Sequence, residues 1–163
     1  MKLLVKVVFQ TADLDTCLAG AILGITAVDD VVHRPHGAQR EELSDPTVVC
    51  LEAGGSGDAL LGNFDHHDTD LPLPPAATQV FHWLGRPPRF DRLVEYTELV
   101  DLGQRFRAPA FPSVSHLISG LRFAHAADSV TQFRRGVEVL VQIADLGLDP
   151  FENLPFREEW APY

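Results

Sequence analysis

The sequence predicts an α/β fold: a doubly wound, mostly parallel sheet with helices on both faces, plus a small C-terminal helical region. Three observations carry this. In the first half, short Val-rich runs alternate with segments of helical periodicity, the rhythm of βαβ units. The runs Leu3–Phe9 (LLVKVVF) and Thr47–Leu51 (TVVCL) are almost continuously apolar, as strands covered on both faces are. After Pro87-Pro88 only helical stripes remain.

Taken in order, Leu3–Phe9 reads as the first strand. A short acidic turn, Asp13-Leu14-Asp15-Thr16, leads into a helix over Cys17–Ala27. Leu18, Ala21, Ile22 and Ile25 line one side of it, and Asp15 or Thr16 is the expected N-cap. Asp30–His33 (DVVH) is the second strand, and Gln39–Leu43 a helical turn broken by Asp45-Pro46. Thr47–Leu51 is the third strand, running into the flexible loop Glu52–Gly57 (EAGGSG). Leu60–Phe64 is expected to be extended and to deliver the chain to Asp65-His66-His67. Ala76–Leu84 reads as a helix stopped by Gly85, and Phe90–Leu102 as another, with Leu93, Val94, Thr97 and Val100 on one face and Asp101 near its end. Two further stripes follow, Val114-Leu117-Ile118-Leu121 and Val130-Phe133-Val137-Leu140-Val141-Ala144; Gly147 and Pro150 close the second. Residues 1–105 are expected to form the α/β domain, with 106–163 as a helical extension packed on it.

Bulk properties narrow the function. At 163 residues, 45% hydrophobic and 22% charged, the chain can bury an ordinary core. No apolar run approaches the roughly 20 residues that span a bilayer. The N-terminus lacks a signal-peptide pattern, so the expected location is cytoplasmic, with no membrane partner. Cys17 and Cys50 lie in apolar segments and are expected to be buried free thiols. The net charge of -10 is concentrated early: residues 1–80 carry four basic and twelve acidic side chains, residues 81–163 nine and eleven. Such a field repels long polyanions, which argues against long nucleic acid as a partner.

The chemistry-bearing residues fall at strand ends. Asp13 and Asp15 follow the first strand, Glu52 follows the third, and Asp65-His66 ends the fourth, so four acids and an imidazole are expected on one edge of the sheet. They would repel one another unless cations neutralise them, and adjacent carboxylate and imidazole suit manganese, iron or zinc. Each has a plainer reading too: Asp13 and Asp15 as helix caps, Glu52 and Asp101 as exposed acids. Gly54-Gly55-Ser56-Gly57 lacks the Lys-Ser/Thr helix of a P-loop.

The ordered set Asp13-x-Asp15, Glu52, Asp65-His66-His67 and Asp101 resembles the DHH phosphoesterase superfamily, which includes the RecJ and family II pyrophosphatase branches. VVCLEAGGSGDALLGNFDHH (residues 48–67) is similar to the Myg-type branch. The resemblance covers roughly residues 1–105. It implies hydrolysis of a phosphoanhydride or phosphodiester by two divalent cations, manganese before others, and the departures below make one or two ions the expectation for this chain. Asp13 would serve one metal, and Asp15, His66 and Asp101 the other, with Glu52 bridging. Asp65 would orient His66, and His67 would face the substrate phosphate, making Asp65 and His67 the catalytic pair beside the metal ligands.

The departures from the pattern are specific. Phe9 stands four residues before Asp13, where the family has histidine; His33 or His36 is the candidate replacement. Glu52 stands where aspartate is usual. The family's C-terminal substrate-binding domain has no expected counterpart in residues 106–163. Arg86, Arg89, Arg92, Arg105 and Arg107 are candidate phosphate contacts, against the plainer reading of a solvated surface. The expectation is therefore a metal-dependent phosphohydrolase for a small phosphorylated substrate or nucleotide. The alternative is a degenerate, non-catalytic relative that binds one metal or a nucleotide, as a binding or oligomerisation module. A homodimer is left open.

Overall fold

A computed structural model describes residues 5–163. Leu3 and Leu4, the start of the first predicted strand, lie outside the described residues. Four short strands, β1 (Lys6–Phe9), β2 (Asp30–His33), β3 (Val48–Leu51) and β4 (Asn63–Phe64), form one sheet. Its order is β2-β1-β3-β4 and every pairing is parallel. The α-helices are α1 (Leu14–Leu23), α2 (Arg40–Leu43), α3 (Ala76–Trp83), α4 (Asp91–Asp101), α5 (Val114–Ala124) and α6 (Ser129–Asp145).

The winding positions the functional edge. The chain steps outward from β1 to β2 through α1, then returns past β1 to β3 through α2. Right-handed crossovers place two connections of opposite direction on opposite faces of the sheet. On one face Val7, Phe9, Val31, Leu51 and Phe64 join a large core with residues of α1 and α3–α6. On the other, Leu43 of α2 and Ala38 cover Val8, Val48 and Cys50. Both faces thus carry helix, unequally. The direction reverses between β1 and β3, and in open α/β sheets the ligand crevice lies there, beyond the carboxyl ends of the strands. Phe9 is level with both His33 and Leu51, so those ends are flush.

Local boundaries differ from the sequence expectation at two places that matter. The first helix begins at Leu14, because Asp13, not Asp15 or Thr16, is its N-cap: its Oδ1 accepts the Thr16 N–H at 3.0 Å. The helix ends at Gly24, in the left-handed conformation (φ 69°). Leu60-Leu61 is not extended but part of a 3₁₀ turn, Ala59–Leu61. Gly62, at φ 78°, then passes so close to β3 that a Cβ would lie 3.0 Å from the Val48 carbonyl oxygen. Only Asn63 and Phe64 are left to pair.

The C-terminal helices join the same core. Phe133 of α6 is fully buried and stacks on Phe9 at 4.8 Å between ring centroids. Cys17 and Cys50 are buried free thiols. No helix of the described residues is long and apolar enough to cross a membrane.

On the thinner face a buried acid ties α2 to the sheet. Glu42, 5% exposed, accepts Lys6 Nζ at 2.9 Å, Arg34 Nε and Nη2 at 3.2 and 3.0 Å, and the Gln39 N–H at 2.9 Å. The Arg34 hydrogen bonds, then the Gln39 N–H and Lys6, hold its carboxyl at about 2 against an ordinary 4.5. The folded value is the lower one, so this stabilisation is complete above 4.5 and is lost as pH falls towards 2. Since both cations are partly solvated, Glu42→Gln is expected to cost on the order of 1–3 kcal/mol at pH 7. Denaturant melts of wild type and variant should converge as pH falls below about 3.

Candidate metal centre

The site starts with a bend at the end of β3. Glu52 is in the left-handed region at φ 48°, a conformation that costs a non-glycine residue about 1 kcal/mol or more. Its own N–H still donates to Phe64 O at 2.9 Å, so the pairing with β4 continues through the bend. The side chain is buried, and its Oε1 lies 3.3 Å from both His66 Nε2 and His67 Nδ1.

Asp65 organises the loop that follows β4. Its Oδ1 accepts the backbone N–H groups of His66 and His67 at 2.6 and 2.8 Å, and its Oδ2 accepts Gly54 N–H at 2.6 Å. Gln79 of α3 donates to the Asp65 carbonyl at 2.9 Å. The expectation that Asp65 orients the His66 ring is not what the geometry gives. The ring within reach of its carboxylate is that of His67, with Nδ1 3.1 Å from Oδ1. A carboxylate only accepts, so Nδ1 carries the hydrogen and Nε2 of this exposed ring is left free. The glycine loop is likewise committed: Gly55 and Ser56 N–H donate to Asp68 at 3.0 and 3.1 Å.

Asp15 is 2% exposed and reaches across the fold. Its two oxygens accept the N–H groups of Ala76 and Ala77, at 2.7 and 2.8 Å. Those are the first residues of α3, whose N-cap, Pro75, offers no capping side chain. The partners are 61 and 62 residues away in sequence, so no local signal announces them. Asp101 ends α4, and its Oδ2 lies 3.4 Å from His66 Nε2.

Two groups of donors able to hold a metal ion result: Glu52 with His66 and His67, and Asp15 with His66 and Asp101. Within each, the donor atoms lie within 4.8 Å of one another, and His66 belongs to both. Burial is the leading cause that pushes the carboxyls of Glu52, Asp15 and Asp101 above their usual range. Repulsion adds to it: Asp15, Asp13 and Asp101 act on Glu52, Asp101 and Asp13 on Asp15, and Asp13 on Asp101, where His66 works the other way. Glu52 Oε1 and His66 Nε2 are buried without a hydrogen-bond partner. Unpaired buried polar atoms are costly, and these two face each other.

The remaining candidates lie outside both groups. Asp13 serves as the cap of α1, although its charge is felt by the three acids. Phe9 is fully buried, its ring between those of Phe133 and His33. His33 and His36, the candidates to replace a histidine at position 9, also lie outside: His33 Nε2 meets the Gln10 carbonyl at 3.0 Å, and His36 is exposed. Of the arginines, Arg89 pairs with Asp145 at 2.9 Å, and Arg92 with Glu95 and Asp149, so these two belong to the helical surface. Comparison with known protein families, with curated proteins and with solved structures finds no match.

Proposed function

We propose that the chain is a divalent-metal-dependent phosphohydrolase or phosphodiesterase of DHH type, acting on a small phosphorylated compound or nucleotide. One observation supports it above the others: Glu52 Oε1 and His66 Nε2, buried and without a hydrogen bond, lie 3.3 Å apart at the carboxyl edge of the sheet. A cation between them would give both atoms a partner and offset the burial of three carboxyls. Glu52, His66, Asp101 and Asp15 would hold it. Carboxylates with one imidazole suit manganese or iron, and we take manganese as the first choice. When bound, such an ion supplies Lewis-acid polarisation of a phosphoryl oxygen and lowers the pKa of a water.

The chain's own residues do the rest. Asp65 fixes the His67 ring through Nδ1, so that Nε2 faces solvent and is placed to donate to, or take a proton from, a substrate phosphate. Gly54 N–H and Gln79 hold Asp65 in turn. The strongly acidic first half disfavours long polyanions, which leaves small substrates. A cytoplasmic setting, where Cys17 and Cys50 stay reduced, suits this reading.

The test is turnover of pyrophosphate, a generic phosphodiester and short oligonucleotides with manganese. Activity on one of these is expected, falling at least about a hundredfold in His66→Ala. The second reading, a non-catalytic metal or nucleotide binder, is favoured by Phe9, which replaces a donor with a packed ring. Manganese binding without turnover of any substrate in the panel would select it.

A further inference from the structure

We infer that this edge of the sheet holds one cation, not two, bound by Glu52, His66 and Asp101 with Asp15 closing the site. The inference rests on the metal-centre reading above and deepens it.

The two donor groups are not two sites. They share His66, and His66 offers the same Nε2 to Glu52 Oε1 and to Asp101 Oδ2, at 3.3 and 3.4 Å. One nitrogen lone pair binds one ion. Donors at right angles around an ion with bonds of about 2.0–2.4 Å sit roughly 2.8–3.4 Å apart, and about 3.3–3.9 Å apart around a tetrahedral one. Both separations fall within this range, so each carboxylate is spaced to share an ion with His66 Nε2. Asp15 is compatible with that role: each of its oxygens spends one lone pair on an α3 N–H and keeps another.

A second cation about 3.5–4 Å away would need its own donors. The next acid along this edge is Asp13, which lies outside both groups and accepts the Thr16 N–H as the cap of α1. The end of β1 contributes Phe9, a ring without a donor, stacked into the core. The end of β2 contributes His33, whose Nε2 is turned to Gln10 O. His67 Nδ1 is turned to the Asp65 carboxylate. Among the described residues, both sets of three donors close enough for one ion contain His66, so a second ion would lack a complete set of its own.

The experiment is calorimetric titration of manganese into the chelator-treated full chain, with the electron paramagnetic resonance spectrum of the loaded protein. One equivalent and the spectrum of an isolated ion are expected. Glu52→Gln and Asp101→Asn should each weaken binding at least tenfold. Asp13→Asn keeps a good N-cap, so it should fold, bind one equivalent and stay within about threefold of wild-type affinity. Two equivalents, a spin-coupled spectrum, or a tenfold loss in Asp13→Asn would overturn the single-ion inference and leave the metal centre standing. No binding by the wild-type chain would overturn both.

Discussion

At a hundred times its dissociation constant, manganese is expected to raise the unfolding free energy of the wild-type chain by about 2.7 kcal/mol, and His66→Ala is expected to abolish the rise. The physical cause is a metal-free edge that opposes folding. Glu52, Asp15 and Asp101 are buried together and their carboxyls are pushed upward, Asp15 from an ordinary 3.8 to about 7. The sign follows from linkage. A carboxyl raised on folding contributes most below its ordinary value, and that contribution is lost as pH climbs through the folded value. The chelator-treated protein should therefore lose thermal stability between about pH 4 and 7, while the manganese-loaded protein should hold or gain it, because the ion favours the charged form. His66 carries this effect as the nitrogen donor common to both groups. Calorimetric melting at pH 5, 6 and 7, with chelator and with manganese, reads both slopes. Superimposable melting curves throughout would sink the metal reading.

Phe133→Ala should cost about 3–5 kcal/mol and lower the melting temperature by on the order of 6–20 °C for a chain of this size. The ring is fully buried, stacks on Phe9, and presses against α1 at Gly20, where a Cβ would lie 2.6 Å from Phe133 Cζ. A second close approach lies one turn on, where a Cβ at Gly136 would collide with the Cys17 sulfur. The two helices meet so closely because each presents a glycine at the crossing. Gly20→Ala should gain about 1 kcal/mol in helix propensity yet lose about 1–3 kcal/mol to overpacking, a net destabilisation. Combined with Phe133→Ala, that overpacking loss should shrink, since the ring it would strike is gone. Additive effects in a denaturant double-mutant cycle would show that α1 and α6 do not pack through this pair. The same packing keeps Phe9 in the core, away from any role as a ligand.

Much of this molecule could be read from order along the chain. Short Val-rich apolar runs marked β1, β2 and β3, and stripes at helical spacing marked α1 and α4 to α6, because burial of a strand or helix face leaves a record in neighbouring residues. The alternation of the two implied parallel pairing, and placed Asp13, Asp15, Glu52 and Asp65-His66 on one edge. Adjacent residues could show that chemistry-bearing groups gather there; they could not show how each is spent. Asp15 meets Ala76 and Ala77, some sixty residues away. Asp65 takes the ring of His67 in place of that of His66, because the loop turns back onto Gly54. Asp13 caps α1, which therefore starts at Leu14, three residues before the expected Cys17. Order along the chain was enough to give a parallel sheet with helices on both faces and the edge on which the acids collect. That His66 is shared by both donor groups, and that Asp13 and Phe9 stand outside them, follows from packing in space. Hydrogen-bond partners are chosen by distance in space, and local periodicity carries no record of which distant backbone will arrive.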